Sequence, residues 1–204
     1  MYNQKHDVHQ ENKIQEERMN TNVKITIEEF ERIWHMVGDM SRVSSNGYRI
    51  LVELCLYGES TQKQLCDKRN WLQSSVSMAM TKLYENNLVK CKAENRKMVY
   101  YVNPDLKLGK GEDKDIKIDM PTFCALWNCV SDISAMSANC FRVYIDICLY
   151  GNTTQKELWE RRNWKISGVS KTFHKLYDLG VLNCEEKNGR KIYSAKIDIE
   201  KMEV

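Results

Sequence analysis

A chain of 204 residues has room for one ordinary domain or two small ones, and a hydrophobic share of 42% suits a globular protein, not a collagenous or low-complexity one. Its 31 Lys and Arg stand against 28 Asp and Glu, so affinity for nucleic acid must come from where charges sit and not from the formal net +3. No apolar run approaches the ~20 residues that cross a bilayer, and the first 22 residues lack the apolar core of a signal peptide; no membrane partner and a cytoplasmic location are expected.

Residues 1–23 are polar and read as a flexible tail. What organises the remainder is a duplication. Asn46-Gly47-Tyr48-Arg49-Ile50 is echoed by Asn139-Cys140-Phe141-Arg142-Val143, and at that 93-residue shift Cys55-Leu56-Tyr57-Gly58 falls on Cys148-Leu149-Tyr150-Gly151. Thr61-Gln62-Lys63-Gln64-Leu65 likewise matches Thr154-Gln155-Lys156-Glu157-Leu158, and Arg69-Asn70-Trp71 matches Arg162-Asn163-Trp164. Between Glu28 and Asp105 about a third of positions are identical to their partners, far above chance. The period is too long for a solenoid unit and fits a small domain. Module one is set at residues 24–106, a charged Gly-bearing linker at 107–115, and module two at residues 116–204.

In each module the same elements follow in order. Phe30, Ile33, Trp34 and Val37, with Phe123, Leu126, Trp127 and Val130, fall at helical spacing. A second helix from about Asn46 to Tyr57 stops at Gly58, expected in a left-handed cap; Gly151 repeats it. Thr61-x-x-Gln64 and Thr154-x-x-Glu157 are capping boxes that open a short helix ending near Arg69 and Arg162. A fourth helix is expected over Gln73–Glu85 and Ile166–Asp178, with Val76, Ala79, Met80 and Leu83, and Val169, Thr172, Phe173 and Leu176, as its inward stripe. Two strands with a polar turn close each module, and Asn188-Gly189 is a strong hairpin signal. Which of Arg96 and Lys97 matches Arg190 stays open if the two hairpins differ by one residue. Trp34, Trp71, Trp127 and Trp164 recur at like phases and are expected in the core, whereas Trp159 stands opposite Cys66. The eight cysteines form no C-x-x-C pair, and Cys55/Cys148 and Cys91/Cys184 recur within apolar segments. They read as small buried hydrophobes, not as a redox or zinc set.

Helix, helix, short helix, helix and a basic-tipped hairpin make a mainly α fold with small β-hairpins: two tandem winged helix-turn-helix domains. The run Gln73-Ser74-Ser75-Val76-Ser77, followed by Lys82-Leu83-Tyr84 and the exit Asn87-Leu88-Val89, resembles the recognition helix of MarR-type and SarA-like bacterial regulators; Ile166-Ser167-Gly168-Val169-Ser170 and Gly180-Val181-Leu182 repeat it more loosely. MarR-type proteins usually carry long terminal helices that join two subunits, and neither module has room for one after its hairpin. The resemblance therefore implies that the chain is its own pseudo-dimer, as in two-domain SarA-like proteins. Whether the whole chain also forms a homodimer stays open, as does a small-molecule effector.

The expected partner is double-stranded DNA. Small polar and basic side chains suit base edges in the major groove, which singles out Gln73, Ser74, Ser77, Met78, Thr81 and Lys82, with Ser167, Ser170, Lys171, His174 and Lys175. Lys63, Lys68, Arg69, Asn95, Arg96 and Lys97, with Lys156, Arg161, Arg162, Asn188, Arg190 and Lys191, are the expected phosphate and wing contacts. The pairs Met78/Lys171 and Thr81/His174 suggest unequal modules. No P-loop, dinucleotide fingerprint, H-E-x-x-H or G-x-S-x-G occurs, so no enzyme, cofactor or metal is expected. A tandem winged-helix protein scaffold and a plasmid or phage replication or segregation protein are the alternative readings.

Overall fold

A computed structural model of the protein describes residues 23–108 and 116–196; the expected tail over 1–22, the linker segment 109–115 and residues 197–204 lie outside the described residues. Module one runs α1 (Ile27–Val37), α2 (Ser45–Tyr57), α3 (Gln62–Arg69), α4 (Gln73–Glu85), β1 (Val89–Glu94), β2 (Lys97–Val102) and a 3-10 turn (Pro104–Leu108). Module two repeats it with α5 (Met120–Val130), α6 (Ala138–Tyr150), α7 (Gln155–Arg162), α8 (Ile166–Asp178), β3 (Leu182–Lys187) and β4 (Arg190–Ala195). The protein is mainly α, with two antiparallel hairpins, in two similar winged helix-turn-helix units. The 3-10 turn after β2, which carries the buried Leu106, was not expected from the sequence.

Local chemistry explains the boundaries. Thr61 with Gln64 and Thr154 with Glu157 form the expected capping boxes, and Thr26 with Glu29 forms a third at the head of α1. Ser44 and Ser137 cap α2 and α6. Gly58 and Gly151 end those helices at φ +83° and +76°, but with ψ near −157°, a region open to glycine alone and distinct from the expected left-handed cap. The left-handed caps sit instead at Asn70 and Asn163, where α3 and α7 turn into the next helix.

The inward stripes of α4 and α8 are buried as the spacing requires, and so are Phe30, Ile33, Trp34 and Val37 with their module-two partners. In the hairpins Glu94 pairs with Lys97 and Lys187 with Arg190. Both turns have two residues, so the hairpins match without a shift: Lys97 corresponds to Arg190 and Arg96 to Gly189. Asn95 and Arg96 both hold positive φ, as do Asn188 and Gly189. A single-residue β-bridge lies against each hairpin, because Ser60 exchanges backbone hydrogen bonds with Tyr100, and Thr153 with Tyr193.

The modules pack on each other about a local two-fold axis, the isologous pattern of a homodimer built within one chain. Phe30 and Phe123, equivalent in the repeat, meet with ring centroids 4.6 Å apart. Trp71 Nε1 donates to Asp132 Oδ1 (3.1 Å) and Trp164 Nε1 to Asp39 Oδ1 (2.6 Å), a reciprocal pair. Arg49 reaches the Ile133 carbonyl, and Arg142 the Gly38 carbonyl. The core assignment thus holds for Trp34 and Trp127 but is corrected for Trp71 and Trp164. These two are half-buried and tie the modules together, because the indole N–H needs an acceptor that only the other module supplies.

Candidate nucleic-acid interface

The helix that buries Val76, Ala79, Met80 and Leu83 must turn its other face to solvent. On α4, Gln73, Ser74, Met78, Thr81 and Lys82 are exposed and Ser77 is half-exposed; on α8, Ser167, Lys171, His174 and Lys175 are exposed and Ser170 half-exposed. Two of these side chains already engage the backbone. Thr81 Oγ1 donates to the Ser77 carbonyl (3.0 Å), and His174 Nδ1 lies 2.8 Å from the Ser170 carbonyl. A carbonyl only accepts, so Nδ1 carries the proton and a neutral His174 keeps Nε2 as its acceptor. Lys82 pairs with Glu85 across one helical turn (2.6 Å), an exposed contact worth little and readily exchanged for a phosphate.

Each hairpin is pinned to its short helix by one contact made twice: Gln62 Nε2 donates to Tyr100 Oη and Gln155 Nε2 to Tyr193 Oη, both at 3.2 Å. This ties β2 to α3 and β4 to α7. Lys63, Asn95, Arg96 and Lys97 are exposed in module one, and Lys156, Asn188, Arg190 and Lys191 in module two. In module two, Lys156, Arg190 and Lys191, together with Glu157 and Glu160, line a groove of about 540 Å³ between the start of α7 and β4. Lys156 is also in reach of Glu160 (3.7 Å).

Four expected phosphate contacts are corrected. Arg69 and Lys68 turn inward to Glu53, a carboxylate 1% exposed, with Lys68 Nζ at 3.1 Å and over the Tyr57 ring. Arg69 also donates to Asn128 of module two (2.8 Å). Arg161 and Arg162 close on Asp146, which is fully buried, with Arg161 Nη1 at 2.8 Å. Burial lowers the Lys68 pKa against the pull of Glu53. For Arg69 and Arg162 burial opposes the charge too, yet Glu53 and Asp146 leave both raised. These cations are spent on buried carboxylates, which would otherwise be uncompensated. A signal for this exists in the sequence: Glu53 and Asp146 occupy equivalent positions inside the apolar runs Ile50–Leu56 and Val143–Leu149.

Those carboxylates also carry the modules' unlike contacts. Trp127 Nε1 donates to Glu53 Oε1 across the interface (2.8 Å), whereas Asp146, one methylene shorter, serves only its own module's arginines. Trp34 Nε1 is buried with no acceptor among the described residues. Tyr150 donates to Glu31 Oε1 of module one (2.6 Å), where the matching position to Glu31 is Cys124. Burial and the Glu53 carboxylate push the Cys124 thiol up to about 11, so it is held protonated near neutral pH.

The outward faces differ in one consistent way. Leu72 (74% exposed), Met78 (69%) and Met98 (45%) of module one each stand where module two has an exposed lysine, namely Lys165, Lys171 and Lys191. Leu72 and Lys165 cap the leading ends of α4 and α8, Met78 and Lys171 lie on their outer faces, and Met98 and Lys191 lie beside the wing tips.

Among the described residues no helix is long and apolar enough to cross a membrane, and no cluster of His, Cys, Asp and Glu could hold a metal ion. Compared with known proteins, the sequence matches no family model and no curated protein.

Proposed function

We propose that the protein is a sequence-specific, double-stranded DNA-binding transcriptional regulator of the two-domain SarA-like and MarR type. In this reading α4 and α8 enter successive major-groove faces about 34 Å apart, and the wings rest on phosphates. The observation that supports it is the doubled presentation: two like helices bury one face in their own module and turn Ser, Thr, Lys and His outward, related by a local two-fold axis and each beside a cationic hairpin tip. Lys63, Lys82, Arg96 and Lys97, with Lys156, Lys165, Lys171, Lys175, Arg190 and Lys191, form the exposed cation set of this reading. Module two supplies the larger share of it, so the contributions to affinity are unequal.

Selection of bound duplexes from a random pool at two salt concentrations tests this. An enriched motif with two half-sites supports specific readout; retention of duplexes with no enriched motif would limit the protein to backbone affinity. A second reading, a protein-interaction scaffold, draws on the exposed Leu72, Met78 and Met98. It requires that no duplex be retained at all.

A further inference from the structure

We infer that the two modules read different base chemistry: module one contacts thymine C5-methyl groups through Met78 and Leu72, and module two contacts guanine through Lys171. This rests on the DNA-binding reading and specifies what each half-site must contain. The ground is the substitution of Leu72, Met78 and Met98 by lysines at three matched, exposed positions. The fold of the two helices is otherwise the same, down to the bond that Thr81 and His174 each make to the carbonyl one turn back. The outward contrast of Leu72 with Lys165 and of Met78 with Lys171, on helices of equal length that bury the same four positions, is a difference in what their outer faces touch.

An apolar side chain on such a face could equally meet a protein, but its surroundings favour DNA. On the helix surface the neighbours of a residue lie three and four positions away. For Met78 these include Ser74, Thr81 and Lys82, all exposed. Leu72 precedes Gln73 and Ser74, and Met98 adjoins Lys97 on the wing. Met78 is thus set among hydroxyls and a cation, unlike the continuous apolar patch that a protein partner needs. In the major groove the one apolar feature a base offers is the thymine methyl, whereas the O6 and N7 acceptors of guanine suit a lysine ammonium. Thr81, its hydroxyl proton already given to Ser77, adds a methyl-bearing side chain beside Met78, while Lys171 has His174 as the matching neighbour.

The test uses the full chain and the best duplex from the pool selection. Each thymine is replaced singly by deoxyuridine, which removes only the methyl, and each guanine by 7-deazaguanine, which removes only the N7 acceptor. For the wild type, deoxyuridine is expected to weaken binding about fourfold per contacted methyl in one half-site, and 7-deazaguanine to weaken it in the other. The Met78→Ala variant should lose the deoxyuridine effect at one thymine and Leu72→Ala at another, both keeping the 7-deazaguanine effect; Lys171→Ala should lose the 7-deazaguanine effect and keep those of deoxyuridine. Equal thymine sensitivity in both half-sites overturns the inference, as does an unchanged deoxyuridine effect in Met78→Ala. Unaltered DNA affinity in both Leu72→Ala and Met78→Ala would overturn it in favour of a protein on that face. If the pool yields no enriched duplex, the sequence-specific reading itself fails and the inference with it, a result distinct from each of the others.

Discussion

Cutting Phe30 back to Ala removes a ring that is 1% exposed, lies parallel to Trp34 at 6.4 Å and meets Phe123 at 4.6 Å. A buried Phe→Ala change costs about 3–5 kcal/mol, and Phe123→Ala, at an equally buried equivalent site, should cost the same. Because the two rings share a contact across the local axis, the double variant should lose less than the sum of the singles, by roughly 0.5–1.5 kcal/mol. Urea unfolding of the four proteins, followed by tryptophan fluorescence and circular dichroism together, measures this; Leu replacements give a smaller coupling of the same sign if the Ala forms are too unstable. The reasoning also requires one cooperative transition, since Trp34 and Trp127 sit on both sides of the contact. It is refuted if the losses add to within about 0.3 kcal/mol. It is equally refuted if Phe30→Ala splits the transition and leaves the module-two half where it was.

Three further outcomes follow from particular residues. The double variant Arg161→Ala/Arg162→Ala strips the buried Asp146 of both its arginines and should cost about 3–5 kcal/mol in a denaturation curve, yet leave the salt dependence of DNA binding unchanged, whereas Lys175→Ala should do the opposite. Arg96→Gly relieves a residue at φ +62° where module two already has Gly189, so it should raise stability by about 1 kcal/mol in a thermal melt while weakening DNA binding uniformly across sequences. Cys124 should alkylate slowly at pH 7–8 and faster as pH rises toward 11, since only the thiolate reacts. Glu53→Gln removes one of the two influences that raise its pKa and should speed the reaction at fixed pH, as mass spectrometry of iodoacetamide labelling would show.

Much of this fold is readable from the chain because its strongest signals are local and occur twice. The capping boxes at Thr61 and Thr154, the inward stripes of α4 and α8 and the Asn188-Gly189 turn depend on residues within a few positions of one another, and the 93-residue repeat confirms each by its partner. What eludes such reading is long-range. Arg69 and Arg162 look like phosphate contacts because a cation at the end of a short surface helix suits both a phosphate and a buried acid, and the acids lie one helix back in the chain. Trp71 and Trp164 look like core because their acceptors, Asp132 and Asp39, belong to the other module. Gly58 and Gly151 are legible as glycine-requiring ends, but the preference alone does not distinguish a left-handed cap from the more extended conformation they take. At the candidate site the Met78/Lys171 contrast is visible from the sequence. Its extension to Leu72/Lys165 and Met98/Lys191 needs exposure to be known, since a leucine before a helix reads as a buried staple as readily as an exposed one.

The central claim, that duplicated helices and wings grip a DNA duplex with module two bearing more of the charge, is tested most directly by the salt dependence of binding to the selected duplex. Lys165→Ala/Lys191→Ala should lower the slope of log Kobs against log salt by about 1.8, as loss of two phosphate contacts requires, while Leu72→Ala/Met98→Ala should leave it where the wild type has it. A wild-type slope near zero, or one that the lysine pair does not change, would contradict the account.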